Sequence, residues 1–143
     1  MKIKLLNDNA KIPTRGSVEA AGFDIYSANE VSFVIEPGQT ELISTGFATE
    51  IPSGYFAAVF PRSGMATKQG LRLANCVAVI DSDYRGEWLI PLHNDSAVSQ
   101  IIEPGTRIAQ FVIIPYLITE LEEVENLNKT DRNKGGFGST GKF

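Results

Sequence analysis

The residues best equipped for chemistry sit where an apolar strand runs into an acidic turn, Val79-Ile80-Asp81-Ser82-Asp83-Tyr84-Arg85-Gly86. Two carboxylates one residue apart share a side if the strand continues through them. Their repulsion then raises the pKa of one toward a base poised near neutrality. The same letters also make an ordinary solvated hairpin turn, which Asp and Gly form routinely. Pro61-Arg62-Ser63-Gly64 brings a cation and a hydroxyl to a helix start, which suits either a small anion or a plain N-cap. Ala21-Gly22-Phe23-Asp24 and Arg107-Ile108-Ala109-Gln110 each set polar ends beside an apolar stretch.

The run Gly136-Phe137-Gly138-Ser139-Thr140-Gly141-Lys142 matches the spacing of a dinucleotide-binding turn and nearly that of a phosphate loop. Either motif has to follow a buried strand and open a helix, whereas Phe143 stands where Ser or Thr belongs and no helix follows. Two readings remain. One is a chain of backbone N–H groups and two hydroxyls able to wrap phosphate oxygens, with one aromatic ring to stack on a base; the other is an ordinary Gly-rich end. A single histidine, His93, and a single cysteine, Cys76, exclude a His-based metal triad, a thiolate cage and an internal disulfide. Proton transfer then falls to Asp, Glu or Tyr.

These residues need strands to hold them. Ile3 to Leu6, Val31 to Ile35, Glu41 to Phe47, Tyr55 to Phe60, Trp88 to Leu92 and Arg107 to Ile114 are short apolar runs bounded by Gly, Pro, Asn and Asp. They predict an all-β domain of many strands, a barrel or jelly-roll-like sandwich. Pro37-Gly38, Pro52-Ser53-Gly54 and Pro104-Gly105 predict type II turns, with Pro pre-setting one φ and Gly supplying a positive one. One short helix fits Ser63 to Gly70, opening on an N-cap type of residue and closing on Gly. Leu121 to Asn133 is acidic, then basic, and the Gly-rich end beyond it has too little apolar surface to hold itself in place.

The chain of 143 residues has the size of one domain, with 43% hydrophobic and 21% charged residues, so disorder is excluded. Its 13 Lys and Arg against 17 Asp and Glu give a net charge of −4 without a basic face, which argues against nucleic acid as a partner. A small phosphorylated ligand stays open. The apolar stretch near Met1 is too short for a signal peptide or a membrane span, so the expectation is a cytoplasmic protein with no membrane partner.

In order and content these segments resemble the five motifs of the trimeric dUTPases, the deoxyuridine triphosphate nucleotidohydrolases. The motifs are Ala21 to Ile25, Pro61 to Ala66, Ala78 to Gly86, Arg107 to Gln110 and Arg132 to Gly141. The resemblance implies a jelly-roll-like β domain over residues 1–128 and a flexible C-terminal lid over 129–143, assembled as a homotrimer with sites shared between subunits. It further implies that dUTP is cleaved to dUMP and pyrophosphate by water that Asp81 directs at the α-phosphorus. That reaction would keep uracil out of DNA and supply dUMP for thymidylate synthesis. The hairpin from Asn75 through Val79 to Tyr84 would hold deoxyuridine, with Tyr84 excluding a 2′-hydroxyl. Arg62, Ser63, Gly64 and Gln110 would bind phosphates from the body. Arg132, Gly138, Ser139 and Thr140 would bind them from the lid, and Phe137 would stack on the uracil. Mg²⁺ would ride on the triphosphate, assisted by Asp24 through water. Cys76, His93 and Trp88 receive only packing roles.

Two positions depart from the family pattern. Ala78 stands where Gly is usual, which an extended backbone tolerates, and Asn133 replaces Gly after the lid Arg, where Asn still reaches the left-handed region. Two other activities share this pattern: deamination of dCTP on the same fold, and a regulatory trimer, phage-encoded or not, that uses the nucleotide site as a switch.

Overall fold

The computed structural model describes residues 1–136. The strands are β1 (Lys2–Leu5), β2 (Phe23–Tyr26), β3 (Phe33–Ile35), β4 (Thr40–Ser44), β5 (Phe47–Glu50) and β6 (Tyr55–Phe60). They continue as β7 (Leu71–Leu73), β8 (Ala78–Ile80), β9 (Leu89–Asn94), β10 (Gln100–Ile102) and β11 (Arg107–Pro115). The run read as one strand from Glu41 to Phe47 is two, β4 and β5, broken at Gly46 with φ 66°. All pairings are antiparallel, in sheets ordered β1-β5, β3-β10, β4-β9-β7 and β2-β11-β6-β8. The architecture is the expected jelly-roll-like, nearly helix-free one.

Between the sheets lies one core centred on Trp88, fully buried, with Phe47 and Phe111 each 5.1 Å away between ring centres. Phe23 stacks on Phe111 at 5.2 Å. Strand alternation explains the choice of residues: along β9, Ile90, Leu92 and Asn94 point inward and their neighbours outward. Asn94 is one of the few polar residues in this interior, and its amide is bonded to the carbonyls of Ile35 and Val98.

Gly38 and Gly105 take the positive φ their turns require, closed by Gln39 N–H to Glu36 O and Thr106 N–H to Glu103 O. At Gly54 the turn starts one residue later than a Pro at its second position would give, since Tyr55 N–H bonds Pro52 O. The helix is a single wide turn, Met65–Gln69, of π geometry, closed by the left-handed Gly70. Ser63 does not cap it. Gly64 precedes the turn and no side chain caps it, while Ser63 offers only its carbonyl, to Thr67 Oγ1 at 2.8 Å.

Candidate active site

The β2-β11-β6-β8 sheet builds two polar clusters. Register sets the first: Gln110 lies opposite Asp24 on one side and Phe60 on the other, and directly opposed residues share a sheet face. Arg62, two residues past Phe60, comes to that face and bonds Asp24 Oδ1 through Nε at 2.9 Å. Gln110 Nε2 donates to Pro61 O at 3.1 Å and fixes the turn that carries Arg62.

Arg107 joins the cluster because of a β-bulge. The register shifts at Ile108, so that Arg107 opposes Tyr26 instead of Ser27. One residue of slip changes the face, and it turns Arg107 toward Asp24 Oδ2 at 3.3 Å and over the Tyr26 ring at 5.9 Å. Sequence reasoning gave Arg107 no role, because a bulge inside an apolar run leaves no mark in the letters. Gly22 has a local reason to be Gly: a Cβ there would lie 3.2 Å from Gln110 Oε1.

The second cluster is a pocket of about 200 Å³ lined by Val79, Ile80, Asp81, Tyr84, Glu87, Trp88 and Leu89. Here the strand does not continue through the carboxylates. β8 stops at Ile80, and Asp81 to Tyr84 is a turn closed by Tyr84 N–H on Asp81 O at 3.2 Å, so the same-side argument for Asp81 and Asp83 fails. The guanidinium of Arg85 braces the turn on the carbonyls of Ser82 and Tyr84. Tyr84 folds back over Gly86, where a Cβ would come within 2.4 Å of its hydroxyl, and donates to Glu87 O at 3.0 Å. The pocket rim is exposed and apolar, Val79 at 61% and Leu89 at 46%.

Asn75 lies outside the pocket, in the β7–β8 turn, where Val77 N–H bonds its carbonyl around Cys76 at φ 62°. Ser63 and Gly64 are exposed beside Arg62. Arg132 is exposed, its Nε on Gly135 O at 2.9 Å. Phe137, Gly138, Ser139 and Thr140 lie outside the described residues. Ala78 is extended and Asn133 left-handed at φ 41°, as their chemistry allows.

The two clusters stay apart within one chain. Ile80, the last strand residue before Asp81, pairs with Ala57, whereas Gln110 and Asp24 align with Phe60. The stretch of strand from Ala57 to Phe60 spans roughly 10 Å. None of the first cluster lines the pocket that holds Asp81.

The dUTPase family model matches residues 8–141. The chain belongs to the dUTPase family. A deoxyuridine 5'-triphosphate nucleotidohydrolase of Nautilia profundicola is 49% identical, over 99% of this chain and 99% of that protein. Among solved dUTPases, a mutant from Staphylococcus bacteriophage 80alpha carrying dUpNHpp superposes with a TM-score of 0.90 at 33% identity, covering 98% of this chain and 97% of that one. A mutant dUTPase of phage phi11 of S. aureus, described with a structural Mg(II) ion, gives 0.82 at 28% identity, over 90% and 98% of the two chains. In this dUTPase-family chain Asp81 stands just past β8, and Arg62 stands between β6 and the helical turn.

Proposed function

We propose that this protein hydrolyses dUTP to dUMP and pyrophosphate at sites shared between the subunits of a homotrimer. The observation that carries the reading is the separation of two half-sites, an Asp81–Tyr84 pocket and an Asp24–Arg62–Arg107–Gln110 cluster, on one sheet. Each half would complete a site with the other half of a neighbouring copy. The segment beyond β11 supports an assembly, since Leu117, Ile118, Leu121 and Leu127 are 84%, 69%, 97% and 87% exposed on a single copy.

In this reading, uracil and deoxyribose enter the pocket against Val79, and the Tyr84 ring fills the space a 2′-hydroxyl would need. Asp81 accepts a proton from water as the water attacks the α-phosphorus in line. Arg62 and Gln110 of another copy, with Ser63 and Gly64 beside them, orient the phosphates. Arg132 and the run from Phe137 to Thr140 close over them as a lid spanning 129–143.

Mg²⁺ fits this donor set in one way only. Asp24 is a lone carboxylate with both oxygens facing guanidiniums, and no group of three acidic or His/Cys side chains lies together among the described residues. Its remaining lone pairs suit a metal-bound water on a triphosphate-borne ion. Bound there, Mg²⁺ would offset charge on the departing pyrophosphate. No helix among the described residues is long and apolar enough to cross a membrane.

The test is pyrophosphate release from dUTP, UTP, dCTP and the other dNTPs with Mg²⁺. Release from dUTP alone supports the reading. Ammonia from dCTP would reassign the chain to deamination.

A further inference from the structure

We propose that Glu87 is a positioning residue that sets where the Tyr84 ring stands, and so tunes the preference for deoxyribose over ribose. The inference rests on the reading of Tyr84 as the ribose gate.

Tyr84 is held by its own surroundings only in part. Its ring lies across Gly86, and its hydroxyl ends on the carbonyl of Glu87. The location of that carbonyl therefore fixes the ring, and a latch fixes the carbonyl. Glu87 Oε1 accepts from Ser44 Oγ and from Gly46 N–H at 2.8 Å. The next residue is tied to the same corner, with Thr45 Oγ1 donating to Trp88 O at 2.7 Å and Trp88 N–H to Phe47 O at 3.1 Å.

The corner itself cannot give. Gly46 sits at φ 66°, and a Cβ there would lie 2.7 Å from Ala10 and 2.9 Å from Ala28. Its carbonyl takes Leu6 N–H at 2.7 Å, and Ser44 O takes Ala28 N–H at 2.9 Å. Trp88 anchors the other side in the core at 0% exposure. A half-buried carboxylate that accepts from both a hydroxyl and a backbone N–H is a strong, directional tether. It links the β4–β5 corner to the pocket wall, and the wall to the gate. Ordinary core packing would need only an apolar side chain at this position.

The test measures kcat/KM for dUTP and for UTP in Glu87→Ala, Glu87→Gln, Ser44→Ala and Tyr84→Ala trimers, with melting temperatures alongside. Glu87→Ala should lower the dUTP-over-UTP ratio by about tenfold or more, the scale of a sub-ångström to one-ångström misplacement in a site. Glu87→Gln keeps an acceptor oxygen for both donors and should restore the ratio, and Ser44→Ala should lower it less than Glu87→Ala does. A purely stabilising Glu87 would shift melting temperature and leave the ratio alone, which overturns the inference. Should Glu87→Ala fail to fold, an unchanged ratio in Ser44→Ala overturns it instead. Tyr84→Ala separates the two claims: a lowered ratio there with none in the Glu87 and Ser44 variants rejects the latch and keeps the gate. An unchanged ratio in Tyr84→Ala rejects the gate and the latch with it.

Discussion

The Asp24 cluster and the Asp81 pocket are built in opposite ways. Asp24, Gln110 and Arg107 stand on paired strands, and register plus one bulge decide which of them meet. Asp81 and Tyr84 stand on a turn just past a three-residue strand, held by Arg85, by the missing side chain of Gly86 and by the carbonyl of Glu87. Strands fix charges in a row, which suits a polyanion. A turn with a Gly in it presents a carboxylate and an aromatic ring at angles no strand allows, which suits attack on one atom beside one sugar. The cost of the turn is its reliance on a few supports.

Removal of the base from the pocket should have the largest effect. Asp81→Asn keeps size and polarity, so kcat for dUTP should fall by about 10²-fold or more while KM changes little. The matching change in the strand-borne cluster, Asp24→Asn, should act mainly on Mg²⁺ dependence and KM. Steady-state pyrophosphate release separates the two, and a kcat loss in Asp24→Asn as large as in Asp81→Asn would erase the contrast.

Next in size is the turn's dependence on Gly86. In Gly86→Ala the new Cβ falls on the Tyr84 hydroxyl, so the ring must leave its place. Discrimination against UTP should drop by about tenfold, with a fall in kcat/KM for dUTP. The matching methyl at the strand-borne cluster, in Gly22→Ala, meets Gln110 Oε1 at 3.2 Å and should disturb the site less, and kinetics on both nucleotides measure the difference.

A smaller effect follows from Arg107. Arg107→Met leaves Asp24 paired with Arg62 alone, so the KM for dUTP should rise severalfold with kcat nearly retained. An unchanged KM would mean that the bulge serves the fold and not the phosphates.

Smallest is a control remote from both clusters. The guanidinium of Arg72, by its hydrogen bond to Asp95, holds that carboxyl below the usual carboxylate range, with His93 adding to the effect. A depressed folded pKa contributes stability above the unfolded value and loses it as pH falls through the folded one. Arg72→Met should therefore lower the melting temperature slightly at about pH 7, and the gap from wild type should narrow as pH falls below the usual carboxylate range and Asp95 protonates. Calorimetry across that range checks it.

Most of the fold was legible because its strands are short apolar runs between turn residues. The lapses are instructive. β2, β7 and β10 were missed as strands, since Leu71–Leu73 and Gln100–Ile102 are three residues each and show too little pattern, while Phe23–Tyr26 reads as a motif. Asp81 was found from its residue type and its place after a strand, yet its geometry was misjudged, because nothing local says that pairing ends at Ile80. Glu87 stayed invisible, and Arg107 was singled out only as the polar end of an apolar stretch. Their roles come from Ser44 and Gly46, more than 40 positions away in sequence, and from a register shift, and neither distant pairing nor register is written in a local stretch of chain.

The central claim is that the two clusters of one chain belong to different sites, and subunit mixing tests it most directly. Asp81→Asn trimers and trimers carrying Arg62→Ala with Gln110→Ala should each be nearly inactive. The two are unfolded together in equal amounts and refolded. Each site then draws its pocket and its phosphate cluster independently from different copies, so roughly one site in four is complete. The account predicts activity recovering toward about a quarter of wild type. No recovery in confirmed mixed trimers would mean that pocket and cluster of the same chain work together, and would contradict it.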